Sequence, residues 1–437
     1  MKWHVVCRVG EGDAFLPEVD PTAERCLVLH FSGGAAKERV RESVLTAIEE
    51  QCEATLSGTV QDFLYASMGA YLADMCIPRR TAEDRWSRDL TLHLPVFTQS
   101  RWRRASRSLV TALRFLTGDE WAISIRGRSE EVPEPSTSAD SEKPETVCLL
   151  SGGLDSLVGA IDLLSGGNAV AFVSHHGGGM TAKFQSDTFA ALRARYQDQC
   201  FENQFYVVGP HLGDKGENSM RSRSILFLGL GVAVASALGD RVPVVVPENG
   251  LISLNAPLTR TRAGSSSTRT THPHFIASVR QVLGVLGISN DIVMPYRHMT
   301  KGEMLAKVGD QEALESVLAL TMSCSHPEVA RWGGATPGTH CGYCFPCLIR
   351  RAAVTAVGLE DADADYTYDV RDRAPTGKRG SDLRAVKMAL ARDEQSATPR
   401  IFRVLEAGPL PSEEISAYAG VYTRGMCELS AFLNGDR

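Results

Sequence analysis

Six consecutive residues, Ser151-Gly152-Gly153-Leu154-Asp155-Ser156, bring together two hydroxyls, two glycines and one carboxylate. An apolar, β-prone run at 146–150 precedes them, and apolar residues at helical spacing follow: Leu154, Leu157, Val158, Ile161 and Leu164. That order reads as strand, glycine turn, helix start. The first N–H groups of a helix have no intrahelical partner and face whatever sits at the turn. The helix dipole adds partial positive charge at the same place. Gly152 and Gly153 permit positive φ and let a phosphate approach the backbone. A carboxylate beside a polyphosphate is repelled unless Mg²⁺ lies between them, and Mg²⁺ is commonly held by one carboxylate plus substrate phosphates. The expectation is a polyphosphate site on Ser151, Gly152, Gly153, Leu154, Asp155 and Ser156, with Asp155 toward Mg²⁺. No Gly-Lys-Ser/Thr follows the glycines, which excludes a Walker loop.

A second chemistry lies near the other end. Cys341, Cys344 and Cys347 fall within seven residues, and Cys324 lies seventeen residues upstream. Four thiolates can close a tetrahedral Zn²⁺ site with no open position. An iron–sulfur cluster is the rival, but position 351, where the bacterial spacing needs a fourth cysteine, is Arg. His326 and His340 are close enough in sequence to replace a cysteine. Arg350 and Arg351 follow on a helix from which a long side chain can reach toward the polyphosphate site.

Other polar residues stand just after apolar runs. His175 and His176 follow one such run, and an imidazole there can serve as general base toward an incoming amine. Arg223 opens a helical stretch and suits a phosphate or carboxylate. Glu248, with Asn249 beside it, can accept from the N–H edge of a purine-like ring. The segment 260–273 is rich in Ser, Thr and Arg and suits anion binding, with Arg260, Arg269 and His272 as its candidates.

The elements that must position these groups alternate. Short apolar runs at 146–150, 169–174, 205–208 and 242–246 are separated by helical stretches at 181–199 and 222–239. Such alternation means a parallel sheet with helices on its faces, and ligands at the carboxyl ends of its strands. Residues 1–128 read as a mixed accessory unit, with strands at 3–9, 25–31, 90–96 and 121–126 and helical patterns at 40–77 and 101–116. Arg101, Arg103, Arg104 and Arg107 form a basic face on the latter. Residues 129–145 hold five Glu, four Ser and three Pro with no aromatic, the composition of a flexible linker. Helical patterns at 382–392 and 413–433 form a C-terminal extension from 358 to 437. Its apolar positions Tyr418, Tyr422, Met426 and Leu429 fit a packed or partner-bound helix.

The 437 residues suit two or three domains. With 43% hydrophobic and 22% charged residues and net charge −6, the composition is that of an ordinary globular protein. The acidic balance argues against nucleic acid as the partner. The longest apolar run, 225–239, is too short for a membrane span. The start shows no secretory h-region, and four of the eleven cysteines cluster at one metal-like site, so a reducing cytoplasm is expected.

The Ser-Gly-Gly-x-Asp-Ser signature resembles the PP-loop of the ATP pyrophosphatases. Together with Cys341-Gly-Tyr-Cys344-Phe-Pro-Cys347-Leu-Ile-Arg350 and the helix opening at Arg223, it resembles the QueC family of 7-cyano-7-deazaguanine synthases over residues 146–355. The resemblance implies an α/β fold: a parallel sheet of the adenine nucleotide alpha hydrolase-like type with a zinc-binding element at 146–357, here beside an N-terminal α+β domain. It implies an ATP-dependent, C–N bond-forming ligase that adenylates 7-carboxy-7-deazaguanine with ATP, Mg²⁺ and Zn²⁺. Asp155, Ser156, Arg223 and His176 are the catalytic candidates on this reading. The chain departs from the family at His175-His176-Gly177, where the family has Tyr-Gly-Gln, at Ser224 in place of Asn, and in the long stretch 248–273. With its added ends it resembles the QueC-like proteins of bacterial antiphage systems of the Qat type. That implies transfer of the activated deazaguanine to a nitrogen on a partner protein of the defence operon. The alternatives are the housekeeping reaction with ammonia, a PP-loop tRNA-modifying enzyme, and a non-catalytic nucleotide-binding defence subunit.

Overall fold

The structure is a computed structural model. It describes every residue except 36, 129, 138–142, 177–179, 211–215, 218, 220, 260–268, 329–335, 360, 362–365, 374, 396–399 and 436–437.

The first sheet is built from β1 (Lys2–Arg8), β2 (Glu24–His30), β4 (Asp89–Val96) and β5 (Glu120–Gly127), in the order β2-β1-β4-β5. A two-residue strand, β3 (Arg41–Glu42), stands apart from it. All pairings within the first sheet are parallel. The N-terminal unit, expected to be α+β, is therefore α/β. Its first crossover, from β1 to β2, carries no helix, so the helix–strand alternation that marks a parallel sheet is hidden at its start. The stretch 40–77, read as one helical region, is two helices, α1 (Val44–Cys52) and α2 (Gly58–Cys76). Glu53 breaks it in the left-handed conformation, and the Ser57 side chain caps α2. α3 (Gln99–Thr117) joins β4 to β5.

The second sheet has the order β11-β10-β6-β7-β8 and is also parallel throughout. Its strands are β6 (Thr146–Leu149), β7 (Val170–His175), β8 (Cys200–Phe205), β10 (Val244–Val245) and β11 (Ile292–Val293). The apolar run at 205–208 is not one strand. Phe205 ends β8, whose polar Glu202, Asn203 and Gln204 disguised it, and β9 (Val207–Val208) pairs antiparallel with β3.

α4 (Leu154–Ser165), α5 (Met180–Tyr196) and α6 (Arg223–Leu238) serve this sheet. The short α7 (Gly250–Leu254) and then α8 (Pro273–Leu286) follow β10. One apolar cluster is continuous between the sheets: Phe63, Leu64 and Leu92 belong to it with Ile225, Leu230, Val244 and Phe275. Within it α2 lies on α6, and α3 on α8. In the stretch between the sheets, Ser136 pairs through its backbone with Thr55.

The rest of the chain adds α9 (Lys301–Lys307), α10 (Gln311–Val317), α11 (Phe345–Ala356), α12 (Ser381–Gln395), α13 (Arg400–Leu405) and α14 (Ile415–Asn434). Tyr418, Tyr422, Met426, Leu429 and Phe432 of α14 are buried in one cluster with Leu348 of α11, Val386 of α12 and the four cysteines. The chain itself covers this apolar face, which is thus closed to a partner. Among the described residues no helix is long and apolar enough to cross a membrane.

Candidate functional site

The glycine turn sits at the carboxyl end of β6, the central strand. Gly152 takes φ +80°, and a Cβ there would lie 3.1 Å from the Gln185 nitrogen, so the turn needs glycine on both counts. Gly153, by contrast, is extended, at φ −93°. The two serines knit the turn internally. Ser156 Oγ donates to the Gly153 carbonyl at 2.8 Å, and the Ser151 and Ser156 hydroxyls lie 3.2 Å apart. Ser151, Gly152, Gly153, Leu154, Asp155 and Ser156 thus form one compact turn capping α4. The Gln185 amide bridges it to the next strand, donating to the carbonyls of Ser151 at 3.5 Å and His175 at 3.1 Å.

Asp155 is buried and anchors a polar cluster. Lys301 Nζ donates to one of its oxygens, and Asn249 donates to the other from its amide at 2.7 Å and its backbone at 3.3 Å. Burial alone would raise the Asp155 pKa. Lys301, with the hydrogen bonds from Glu248 and Asn249, outweighs it and holds the carboxyl below the usual range. Glu248 goes the other way: burial, then the Asp155 charge, push it well above the ordinary value, so it carries the proton of the pair. The Asn249 carbonyl oxygen meanwhile accepts from Ile252 N–H and caps α7. Asn249 is therefore engaged in holding Asp155 and α7.

Lys301 was not among the residues singled out in sequence, yet it carried a signal. It opens α9 behind a Thr300–Glu303 capping box, and a cation at the start of a helix opposes the dipole. A lysine placed there has a partner elsewhere.

Beside the turn, Arg223 at the start of α6 is half-buried. It donates to the His175 carbonyl at 2.8 Å and lies over the Phe227 ring at 5.1 Å. Its Nε has no partner, and no acidic side chain is paired with it among the described residues. Burial draws its pKa down. His175 is 1% exposed between Tyr71 and Phe227, and neither ring nitrogen has a partner. Burial, then the charges of Arg223 and His176, push its pKa down to about 3. His176 lies farther out, half-buried, its ring 6.3 Å from that of Tyr206. A half-buried guanidinium with no carboxylate beside it is suited to an anion, since charges taken out of water are ordinarily paired.

The remaining candidates lie apart from Asp155. Arg269 stacks on Phe115 of α3 at 4.5 Å and donates to its carbonyl. His272 caps α8 and packs on the same ring at 4.8 Å. Among the described residues of this segment Thr271, 3.0 Å from Ser253 of α7, links it toward the cluster. Arg260 lies outside the described residues.

The four cysteines converge as their spacing predicted. Cys324, Cys341, Cys344 and Cys347 are buried, with all sulfurs within 4.8 Å of one another. Two pairs stand at 3.9 Å, Cys341–Cys347 and Cys344–Cys324. A Zn–S bond of about 2.3 Å places tetrahedral sulfurs about 3.8 Å apart. Backbone N–H groups of Cys341, Cys344 and His326 point at these sulfurs at 3.3–3.4 Å, the arrangement thiolates require. The group can hold a metal ion such as zinc. His340 touches Cys347 from outside at 3.9 Å and is not needed as a ligand.

Neither arginine of α11 reaches the turn. Arg350 is fully buried and paired with Asp361 at 2.9 Å, and it also holds Thr321 and Leu318. Arg351 is paired with Asp369 at 2.9 Å. A buried guanidinium finds its carboxylate within its own layer, and sequence spacing does not reveal that layer. No protein-family model matches the chain, and no curated protein matches it.

Proposed function

We propose that this chain is an ATP-dependent adenylating ligase of the PP-loop kind. It activates the carboxylate of a 7-deazaguanine acid and passes the acyl group to a nitrogen nucleophile, on a partner protein in antiphage defence. The observation that carries the reading is the turn at 151–156, with the buried, anionic Asp155 at its helix start. Supporting it is Arg223, a half-buried cation with no carboxylate paired to it among the described residues, beside the same strand ends.

On this reading a carboxylate oxygen of the acid attacks the α phosphorus of ATP, and pyrophosphate leaves with the electron pair of the broken P–O bond. The nitrogen then attacks the acyl carbon, AMP leaves, and the nitrogen loses a proton. The unpaired N–H groups at the start of α4 and the Arg223 guanidinium face the phosphate charge. Asp155 would hold Mg²⁺, which supplies charge neutralisation on the phosphates, and the protonated Glu248 stands beside it. Lys301 keeps Asp155 ionised meanwhile. His176, at the mouth, can take the proton from the incoming amine. The four cysteines would hold zinc away from the reacting atoms.

One rival has an observation behind it. Lys301 and Asn249 already satisfy both oxygens of Asp155, which suits nucleotide binding without turnover. Incubation with ATP, Mg²⁺ and 7-carboxy-7-deazaguanine separates the two. The ligase releases AMP and pyrophosphate and adds a deazaguanine acyl mass to the partner. The binding subunit retains ATP intact. Full turnover to a free nitrile with ammonia alone would leave the housekeeping reaction standing instead.

A further inference from the structure

The C-terminal helix α14 reaches the Asp155 cluster from behind. Val421, Arg424, Gly425 and Glu428 recur at i, i+3, i+4 and i+7 and so share one face. That face meets both segments that hold Asp155. On the Asn249 side, α14 lies so close to α7 that a Cβ at Gly425 would stand 2.5 Å from Leu251, and one at Gly250 would stand 3.0 Å from Val421. On the Lys301 side, Arg424 donates to both Glu303 oxygens, at 2.6 and 3.2 Å, and to the His298 carbonyl at 3.0 Å.

Glu428 makes the most direct contact. It accepts from the hydroxyl of the fully buried Thr300 and from the Gly302 N–H, the residues on either side of Lys301. The two segments are also tied to each other, Gly250 N–H donating to the Met299 carbonyl at 2.8 Å. Lys301 therefore enters its ion pair with Asp155 from a backbone that Glu428 grips on both sides.

We propose that Glu428 is a positioning residue for the site, fixing Lys301 and through it the Asp155 carboxylate. This rests on the reading of Asp155 as part of an ATP site. The C-terminal extension is thereby a wall of the active site. A displacement of about 1 Å at a reacting group costs up to about a hundredfold in rate. Glu428→Ala releases the Thr300–Gly302 backbone without touching any group that faces ATP. Glu428→Gln keeps a carbonyl oxygen able to accept from Thr300 and Gly302.

The test is pyrophosphate release from Mg·ATP with the deazaguanine acid, beside calorimetry of Mg·ATP binding and a thermal melt. In Glu428→Ala we expect kcat to fall by about tenfold or more while the KM for ATP moves by less than about threefold, with recovery in Glu428→Gln to within about threefold of wild type. Should Glu428→Ala not fold, Arg424→Met, which cuts the exposed arm to Glu303, should lower kcat in the same pattern by about threefold or more. Wild-type kcat in a folded Glu428→Ala, or equal loss in the Ala and Gln variants, overturns the inference alone. A wild-type protein that neither binds Mg·ATP nor releases pyrophosphate overturns the ATP-site reading and this inference with it.

Discussion

Met322 and Gly152 are joined backbone to backbone: the Met322 N–H donates to the Gly152 carbonyl at 2.8 Å. Cys324 follows two residues later, and Thr321, one residue before, is held by Arg350 through its hydroxyl at 2.6 Å. The four-cysteine group and the glycine turn are thus mechanically continuous, though no cysteine faces the turn.

Metal removal should therefore weaken nucleotide binding as well as the fold. We expect about one zinc per chain by elemental analysis. Chelation should lower both the melting temperature and the affinity for Mg·ATP, as should Cys344→Ser. Iron with visible absorbance, or no metal, would refute the zinc reading. Unchanged ATP affinity in the metal-free folded protein would show that the Met322 link carries nothing.

Asp155 and Lys301 should be coupled in stability. Removing one member of a buried ion pair costs about 3–5 kcal/mol, because the other charge stays buried alone. Asp155→Ala is expected to unfold at markedly lower denaturant than wild type. The double variant Asp155→Asn/Lys301→Met should recover much of that loss and still release no pyrophosphate. Turnover close to wild type in the double variant would count against Asp155 as a working group.

Asp74 should act across the two sheets. From α2 it accepts from the Ser222 N–H at 3.1 Å, the Ser222 hydroxyl at 2.9 Å and the Ser219 hydroxyl at 3.0 Å, so it caps α6 from the other unit. It also pairs with Arg88 at 2.5 Å and Arg79 at 3.3 Å, both shared with Asp119. Ser222→Ala should cost about 1.5–3 kcal/mol, the range for hydrogen bonds to charged groups. Asp74→Ala should cost more, since it also takes one of their two carboxylates from Arg79 and Arg88 and leaves Asp119 to hold both. A double-mutant cycle reads the coupling, and additive losses would show that the contact carries no energy.

Stability should fall in mild acid. Burial first, and neighbouring positive groups second, push His272 and His175 down to about 3 and His93 to about 4. The unfolded chain binds these protons near pH 6.5 while the fold refuses them. Their stabilisation is complete above that pH and is lost as pH falls through 6.5 toward 3–4, at most about 1.4 kcal/mol per histidine per pH unit. His272→Asn keeps a capping side chain that does not titrate. Its denaturation midpoint should drop less than that of wild type between pH 7 and pH 5. Parallel slopes would remove His272 from the account.

Local patterns carried much of this molecule. The turn at 151–156 was legible because a strand end, a glycine turn and a helix start follow one another directly in the chain. The cysteine site was legible because three of its ligands lie within seven, and metal geometry demands the fourth. Three strands of the second sheet, β6, β7 and β10, followed from apolar runs that report their own burial, whereas β8, with polar Glu202, Asn203 and Gln204, and the two-residue β11 gave no such signal.

Tertiary structure decided the partners of Asp155, Asp74 and Arg350. Lys301 lies 146 residues from Asp155, and Asp74 lies 148 from Ser222. Such pairs form because a charge taken out of water must find its opposite wherever packing brings one, and sequence spacing holds no record of that distance. The same holds for α14. Its apolar stripe foretold a covered face, but only packing showed that the cover is the chain itself and that its polar edge grips Thr300 and Gly302. Arg350 shows the limit most plainly: its place after the last cysteine pointed to the ATP, whereas burial made Asp361 its partner.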